Sequence, residues 1–140
     1  TPINDPHVRA SFHNMGIETN RTSLIYSLIE GISFGLYDNY QALSKTGIKL
    51  NNLFIIGGGS KNEYWIKLLA SILDRDLAIT EASDSMAAYG AARLAFLGFN
   101  NLKHDTILKS PIIKKIIKKD PSLNSILADR FIKWKKYYIK

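Results

Sequence analysis

The chain contains no cysteine among its 140 residues, which excludes disulfide bonds and metal sites built from thiolates. No stretch approaches the roughly 20 consecutive apolar residues that a membrane-spanning helix needs, so we expect no membrane partner. No secretory signal pattern is visible at the start, and we expect a cytoplasmic protein. The shares of hydrophobic and charged residues, 46% and 22%, are ordinary for one globular domain.

Arrangements typical of catalytic centres are also missing. No Ser-His-Asp pattern is visible, and three histidines stand apart in predicted loops without metal-ligand spacing: His7, His13 and His104. No carboxylate stands out as a general base, because three candidates have positions typical of turns or helix caps: Asp5, Asp84 and Asp120. The sequence therefore predicts no catalytic residue and no metal-binding residue.

Acidic residues are scarce in the last part of the chain. Residues 103–140 contain eleven lysines and arginines against three aspartates, and the net charge of the whole chain is +7. Such a segment is typical either of a nucleic-acid surface or of a solvated helix face. No nucleic-acid-binding motif accompanies the charge, so we favour the solvated surface and expect no nucleic-acid partner.

One stretch has the order strand, glycine loop, helix. Four apolar residues, Leu53 to Ile56, predict a buried parallel strand. Gly57, Gly58 and Gly59 end it, and a helical pattern follows in which apolar residues recur at i, i+3, i+4, i+7 and i+8: Trp65, Leu68, Leu69, Ile72 and Leu73. In an open α/β sheet a ligand binds at such a place, outside the carboxyl end of a strand.

The residue types of this loop suit a nucleotide. The three glycines carry no Cβ, so a flat base or a phosphate can approach the backbone. Ser60 is a candidate cap for the following helix, and Asn62 offers a donor and an acceptor to a base or a ribose. The alternative is a tight turn without a ligand. The spacing to Lys61 fits neither the Walker loop nor the dinucleotide G-x-G-x-x-G pattern.

The remaining elements complete an α/β pattern. We predict a helix from a cap at Asn20 or Thr22 to about Ser44, ended by Gly47. Its apolar face is predicted to contain eight residues: Leu24, Ile25, Leu28, Ile29, Ile32, Leu36, Tyr40 and Leu43. The other predicted elements are a strand at Leu77 to Thr80, a helix from Met86 to Leu97 closed by Gly98, and a last helix that begins at Asp120 and Pro121.

Five motifs in order resemble one family. The segment Ile-Ile-Gly-Gly-Gly-Ser-Lys-Asn-Glu-Tyr-Trp is followed by Leu-Leu-Ala-Ser-Ile-Leu and by Tyr-Gly-Ala-Ala-Arg-Leu-Ala. Upstream, Asp5-Pro6, Arg9, Phe12 and Glu30-Gly31 fit the order and spacing, and Arg-Phe-Ile-Lys-Trp-Lys-Lys-Tyr-Tyr fits the close. Together they resemble the C-terminal part of the FGGY carbohydrate kinases, and within the family most of all the kinases of xylulose.

The resemblance implies a fold and a site. The fold would be the C-terminal part of an actin-like, ribonuclease H-like ATPase domain, with residues 1–140 forming part of the nucleotide-binding domain. The adenosine loop would consist of five residues: Gly57, Gly58, Gly59, Ser60 and Asn62. The N-terminal sugar-binding domain and the catalytic aspartate have no counterpart here, and the chain begins with Thr1. We therefore expect a piece of a longer protein.

The resemblance also implies a reaction. The intact enzyme would use ATP and Mg2+ to phosphorylate a sugar, with D-xylulose as the first choice and glycerol, gluconate or ribulose as alternatives. A non-catalytic nucleotide-binding or interaction module is the alternative from another class. The sequence leaves the oligomeric state undetermined, with a homodimer as one alternative.

Overall fold

A computed structural model describes residues 6–100 and 110–138. The described elements are the helices α1 (Arg21–Ser44), α2 (Glu63–Leu73), α3 (Met86–Asn100) and α4 (Asn124–Tyr138), and the strands β1 (Phe54–Ile55), β2 (Leu77–Thr80) and β3 (Ile113–Ile117). Short 3-10 turns at Gly58–Lys61 and Pro121–Leu123 precede α2 and α4. Among the described residues, no helix is long and apolar enough to cross a membrane.

The three strands form a mixed sheet in the order β1-β2-β3. β1 runs parallel to β2, with Phe54 opposite Ala78, whereas β3 is antiparallel to β2. All four residues of β2 are buried, as expected for a central strand with both faces covered. The predicted α/β class and the bounds of β2 are confirmed. The strand predicted at Leu53 to Ile56 is shorter than expected, and Phe54 is 36% exposed.

Helix α2 lies between two apolar clusters and joins the sheet to the other helices. One cluster packs α2 against the sheet and contains Ile66, Leu69, Ala70, Leu77, Ile79 and Ile117. The other packs α2 against α1 and α4 and contains Phe34, Leu68, Ile72, Leu127 and Phe131. Each fully buried side chain of this size contributes about 1.5–3 kcal/mol. Because α2 is buried on both sides, its first turn, which follows the glycine loop, has a fixed position.

The apolar face predicted for α1 lies largely outside the described core. Several of its members are 45–53% exposed, namely Ile25, Leu28, Ile32, Leu36 and Leu43. The buried residues are Ser33, Phe34 and Asp38. Ser33 accepts a hydrogen bond from Trp65 Nε1 at 2.9 Å, and Asp38 pairs with Lys135 at 3.0 Å. Helix α1 therefore contacts α2 and α4 through Phe34 and through two buried polar side chains, Ser33 and Asp38, that have partners on those helices.

The predicted ends of α1 agree with the structure, whereas two other predicted helix ends differ from it. Asn20 caps α1 by accepting a hydrogen bond from the Ser23 amide at 3.0 Å, and Gly47 beyond its end has a φ of +81°; both predictions are confirmed. Asp120 caps the 3-10 turn before α4 rather than α4 itself. Helix α3 does not close at Gly98 but continues to Asn100, because glycine weakens a helix by only about 1 kcal/mol.

Candidate nucleotide-binding site

The glycine loop meets a second turn at the carboxyl end of the sheet. Because β1 and β2 are parallel neighbours, the residues that follow them emerge side by side. The amide of Gly57 donates to the carbonyl oxygen of Ser83 at 2.7 Å, which joins the glycine loop to the 81–85 connection. The site is thus formed by two turns that are separated in sequence.

The three glycines of the loop differ in their surroundings. Gly57 has φ +85° and ψ −173°, a region that essentially only glycine occupies. A Cβ on Gly59 would lie 3.1 Å from Cζ3 of Trp65, a tight contact. A Cβ on Gly58 would meet no heavy atom within 4 Å, and its φ is not in the positive range. The described fold thus gives reasons for glycine at 57 and 59, whereas the space beside Gly58 is open.

Ser60 does not cap α2, contrary to the prediction. The chain makes a 3-10 turn over Gly58–Lys61 first, which delays the start of the helix. Ser60 is 6% exposed, and its hydroxyl donates to the carbonyl oxygen of Gly57 at 2.7 Å. Its oxygen also lies 2.7 Å from Oγ of Ser83. Ser60 therefore acts inside the loop and faces away from solvent.

Asn62 is the cap of α2. Its Oδ1 accepts a hydrogen bond from the amide of Trp65 at 3.1 Å. A backbone N–H has to meet an oxygen, so this bond fixes which end of the side-chain amide points into the helix. Nδ2 takes no part in the cap. Of the two groups that Asn62 was expected to offer a nucleotide, the acceptor Oδ1 is used in the helix cap, whereas the donor Nδ2 is not.

An exposed ion pair also joins the two turns. Nζ of Lys61 lies 3.0 Å from Oδ2 of Asp84, with both side chains about half exposed or more. The hydrogen bond from Lys61 lowers the pKa of Asp84, although solvent screening leaves an exposed ion pair of this kind with little effect on stability. Within residues 6–100 and 110–138, no group of three or more His, Asp or Glu side chains could hold a metal ion.

One contact of the loop and one buried hydroxyl at the end of β2 were not predicted from the sequence. Ser83 lies 23 positions after Ser60, and no sequence motif links the two. Thr80, the last residue of β2, is 1% exposed, and its Oγ1 has no hydrogen-bond partner in the described part of the chain. A buried hydroxyl of this kind costs free energy, and only the three-dimensional arrangement reveals it.

The glycine loop at the carboxyl ends of two parallel strands, backed by a helix, is the arrangement of an α/β ligand-binding domain. The C-terminal domain of the FGGY family of carbohydrate kinases matches residues 1–99. The chain therefore belongs to the FGGY family of carbohydrate kinases.

Individual relatives extend this result. The chain is 33% identical over 98 residues to the xylulose kinase of Staphylococcus xylosus, covering 70% of this chain and 20% of that protein. The crystal structure of a xylulose kinase from Brucella ovis matches with a TM-score of 0.86 and 33% identity, covering 99% of this chain and 28% of the other. A gluconate kinase from Lactobacillus acidophilus matches with a TM-score of 0.70 and 25% identity, covering 93% and 26%.

The family match and the structural match cover different lengths of the chain. The chain spans about a fifth of the length of the curated relative it matches. The family match ends at residue 99, before β3 and α4, but the structural match to the Brucella ovis enzyme covers 99% of the chain. The basic C-terminal elements are therefore part of the shared fold.

Proposed function

We propose that the chain supplies the adenosine-binding loop of an ATP-dependent sugar kinase whose substrate is a ketose, with D-xylulose as the first choice. The observation that carries this proposal is the open space beside Gly58 at the carboxyl end of two parallel strands. Identity of 33% to xylulose kinases supports D-xylulose. The similarity to a gluconate kinase keeps a sugar acid or another polyol, such as glycerol or ribulose, as the alternative.

The loop offers a nucleotide three kinds of contact. The backbone at Gly58 can be approached closely because no side chain covers it. The first turn of α2 presents the positive end of a helix dipole, which favours groups rich in oxygen and negative charge. Nδ2 of Asn62 is a donor for a base nitrogen or a ribose oxygen. In this proposal Gly57, Gly59 and Ser60 shape the loop, and Gly58 and Asn62 contact the nucleotide.

The rest of the reaction takes place outside these residues. Phosphoryl transfer needs Mg2+ with the nucleotide and a base for the sugar hydroxyl. In the proposal, a preceding part of the polypeptide supplies the base and binds the sugar. The same preceding part would cover the exposed apolar face of α1, where Ile25, Leu28 and Leu36 are each at least 45% exposed.

A pair of glycine variants in the full-length kinase tests the proposal. Gly58→Val places a branched side chain in the open space, so we expect the KM for ATP to rise tenfold or more, which corresponds to about 1.4 kcal/mol per factor of ten. The KM for the sugar and the melting temperature should change little. Gly47→Ala is the matched control, because Gly47 has a φ of +81° and lies outside the loop. This variant strains the backbone by roughly 1–3 kcal/mol, so it should lower the melting temperature and leave the KM for ATP unchanged.

Two outcomes would contradict the proposal. An unchanged KM for ATP in folded Gly58→Val would remove the loop from the nucleotide site.

Comparing kcat/KM of the full-length kinase for D-xylulose, D-ribulose, glycerol and gluconate tests the substrate. A clear preference for one of the last three would replace D-xylulose by that compound.

A further inference from the structure

Ser83 and Ser60 form a chain of hydrogen bonds that ends on the glycine loop. The Ser60 hydroxyl lies 2.7 Å from the carbonyl oxygen of Gly57 and 2.7 Å from Oγ of Ser83. A carbonyl oxygen can only accept, so the single hydroxyl proton of Ser60 is used on Gly57. Ser83 must therefore donate to Ser60, and the bonds run in one direction from Ser83 through Ser60 to Gly57.

This direction has a consequence for the next amide. In a planar trans peptide the C=O and the N–H point in opposite directions. The carbonyl of Gly57 is held toward the buried Ser60, which is 6% exposed, by two donors of Ser60: the hydroxyl at 2.7 Å and the backbone amide at 3.0 Å. The N–H of Gly58 belongs to the same peptide plane and so points away from Ser60. The N–H of Gly58 is thus a backbone donor of fixed orientation next to the residue that has open space beside it.

We propose that Ser83 is a positioning residue for the nucleotide: acting through Ser60 and the carbonyl of Gly57, it aims the amide of Gly58 at an oxygen acceptor of the bound nucleotide. The inference rests on the function proposed above and adds a residue from the 81–85 turn. Successive hydroxyl bonds polarise one another, so losing the first donor weakens the bond from Ser60 to Gly57. Ser83 itself need not touch the nucleotide.

The test is a set of serine variants in the full-length kinase. Ser83→Ala removes the first donor, but the backbone oxygen of residue 83 still accepts from Gly57, so the turn stays attached. We expect the KM for ATP to rise about two- to threefold, a fraction of one neutral hydrogen bond because Ser83 acts through Ser60, with a smaller change in kcat. Ser83→Thr keeps the hydroxyl and should restore the KM.

Ser85 provides a matched control in the same turn. Its hydroxyl donates only to the carbonyl of Ala82, at 3.2 Å, and it is exposed, so Ser85→Ala should leave both KM values unchanged. A merely structural role of Ser83 would lower the melting temperature and the active fraction while the KM for ATP stayed constant. That result, or a failure of Ser83→Thr to restore the KM, would overturn the inference.

The Gly58→Val variant separates the two proposals. A raised KM for ATP in Gly58→Val together with an unchanged KM in Ser83→Ala removes the positioning role and leaves the nucleotide loop in place. An unchanged KM for ATP in both variants removes the loop itself.

Discussion

The glycine loop and the basic C-terminal segment, residues 110–138, both have an unusual composition, but their polar groups differ in the partners they have within the chain. In the loop, internal hydrogen bonds hold the backbone while the space beside Gly58 stays open. In the basic segment, internal partners engage most of the charges. Five of its basic residues form ion pairs: Lys115, Lys118, Lys119, Arg130 and Lys135.

Two of these ion pairs fasten helix α4 to helix α1. Arg130 Nη1 lies 2.8 Å from Glu30, whose side chain is 13% exposed, and Lys135 Nζ lies 3.0 Å from Asp38, whose side chain is 8% exposed. The hydrogen bond that Arg130 donates to Glu30 raises the pKa of Arg130 further above its ordinary value, so Arg130 stays protonated. An unusual composition therefore indicates a binding surface only where the polar and charged groups are not already paired with other groups of the same chain.

The largest expected effect in the basic segment concerns Lys135. Lys135→Met leaves the buried carboxylate of Asp38 without this partner, which should destabilise the full-length kinase by about 1–3 kcal/mol or more. The KM for ATP should not change, the opposite pattern from Gly58→Val. Thermal unfolding and ATP kinetics on one preparation measure both.

The neighbouring Lys136 is the control, since it is exposed on the same helix. Lys136→Met should leave the melting temperature almost unchanged. Equal destabilisation by the two variants would show that the charge of α4 as a whole, rather than the contact with Asp38, is what matters.

A smaller effect is expected from nucleic acid. Because much of the charge is engaged in ion pairs, DNA or RNA oligonucleotides should bind the full-length kinase weakly, without sequence preference and with a steep loss of affinity as salt rises. Fluorescence anisotropy at two salt concentrations measures this. Tight binding that discriminates between sequences near physiological salt would show that the basic segment is itself a binding surface.

The smallest expected effect is on acid stability. The hydrogen bond from Lys119 lowers the pKa of Asp74 below its ordinary value of 3.8. A lowered folded-state pKa stabilises the fold above the ordinary value, and this contribution is lost as the pH falls through the folded-state pKa. Lys119→Gln should therefore move the acid-unfolding midpoint of the full-length kinase slightly upward, as followed by tryptophan fluorescence.

Lys133 is an exposed lysine of α4 and serves as the control for charge alone. Lys133→Gln should leave the acid-unfolding midpoint where it is. A similar shift in both variants would assign the effect to net charge and not to the contact between Lys119 and Asp74.

The sequence predicts those parts of the fold that depend on local chemistry. The continuous apolar run of β2 and the Asn20 cap are local signals, and both are confirmed. The apolar stripe of α1 is a local signal too, but periodicity does not show what packs against it. Polar residues such as Ser33 and Asp38 became core residues through partners far away in sequence.

The same distinction applies to the site. The run of three glycines marks the loop, but the different surroundings of Gly57, Gly58 and Gly59 depend on φ angles and on Trp65. The mistaken role of Ser60 has a local cause, because a 3-10 turn moves the cap to Asn62. Ser83 could not be found because its contact depends on the parallel pairing of two strands.

The joined turns at the carboxyl ends of β1 and β2 also determine where the chain can change in length. Ordinary surface turns accept inserted residues because little depends on their path. Gly57 and Ser83 hold each other through their backbones, so one residue added within 81–85 would displace both. The turn at 45–49 is exposed, and its described hydrogen bonds go to the last turn of α1. A reporter group or an affinity tag therefore belongs at 45–49, at the far end of the sheet from the loop.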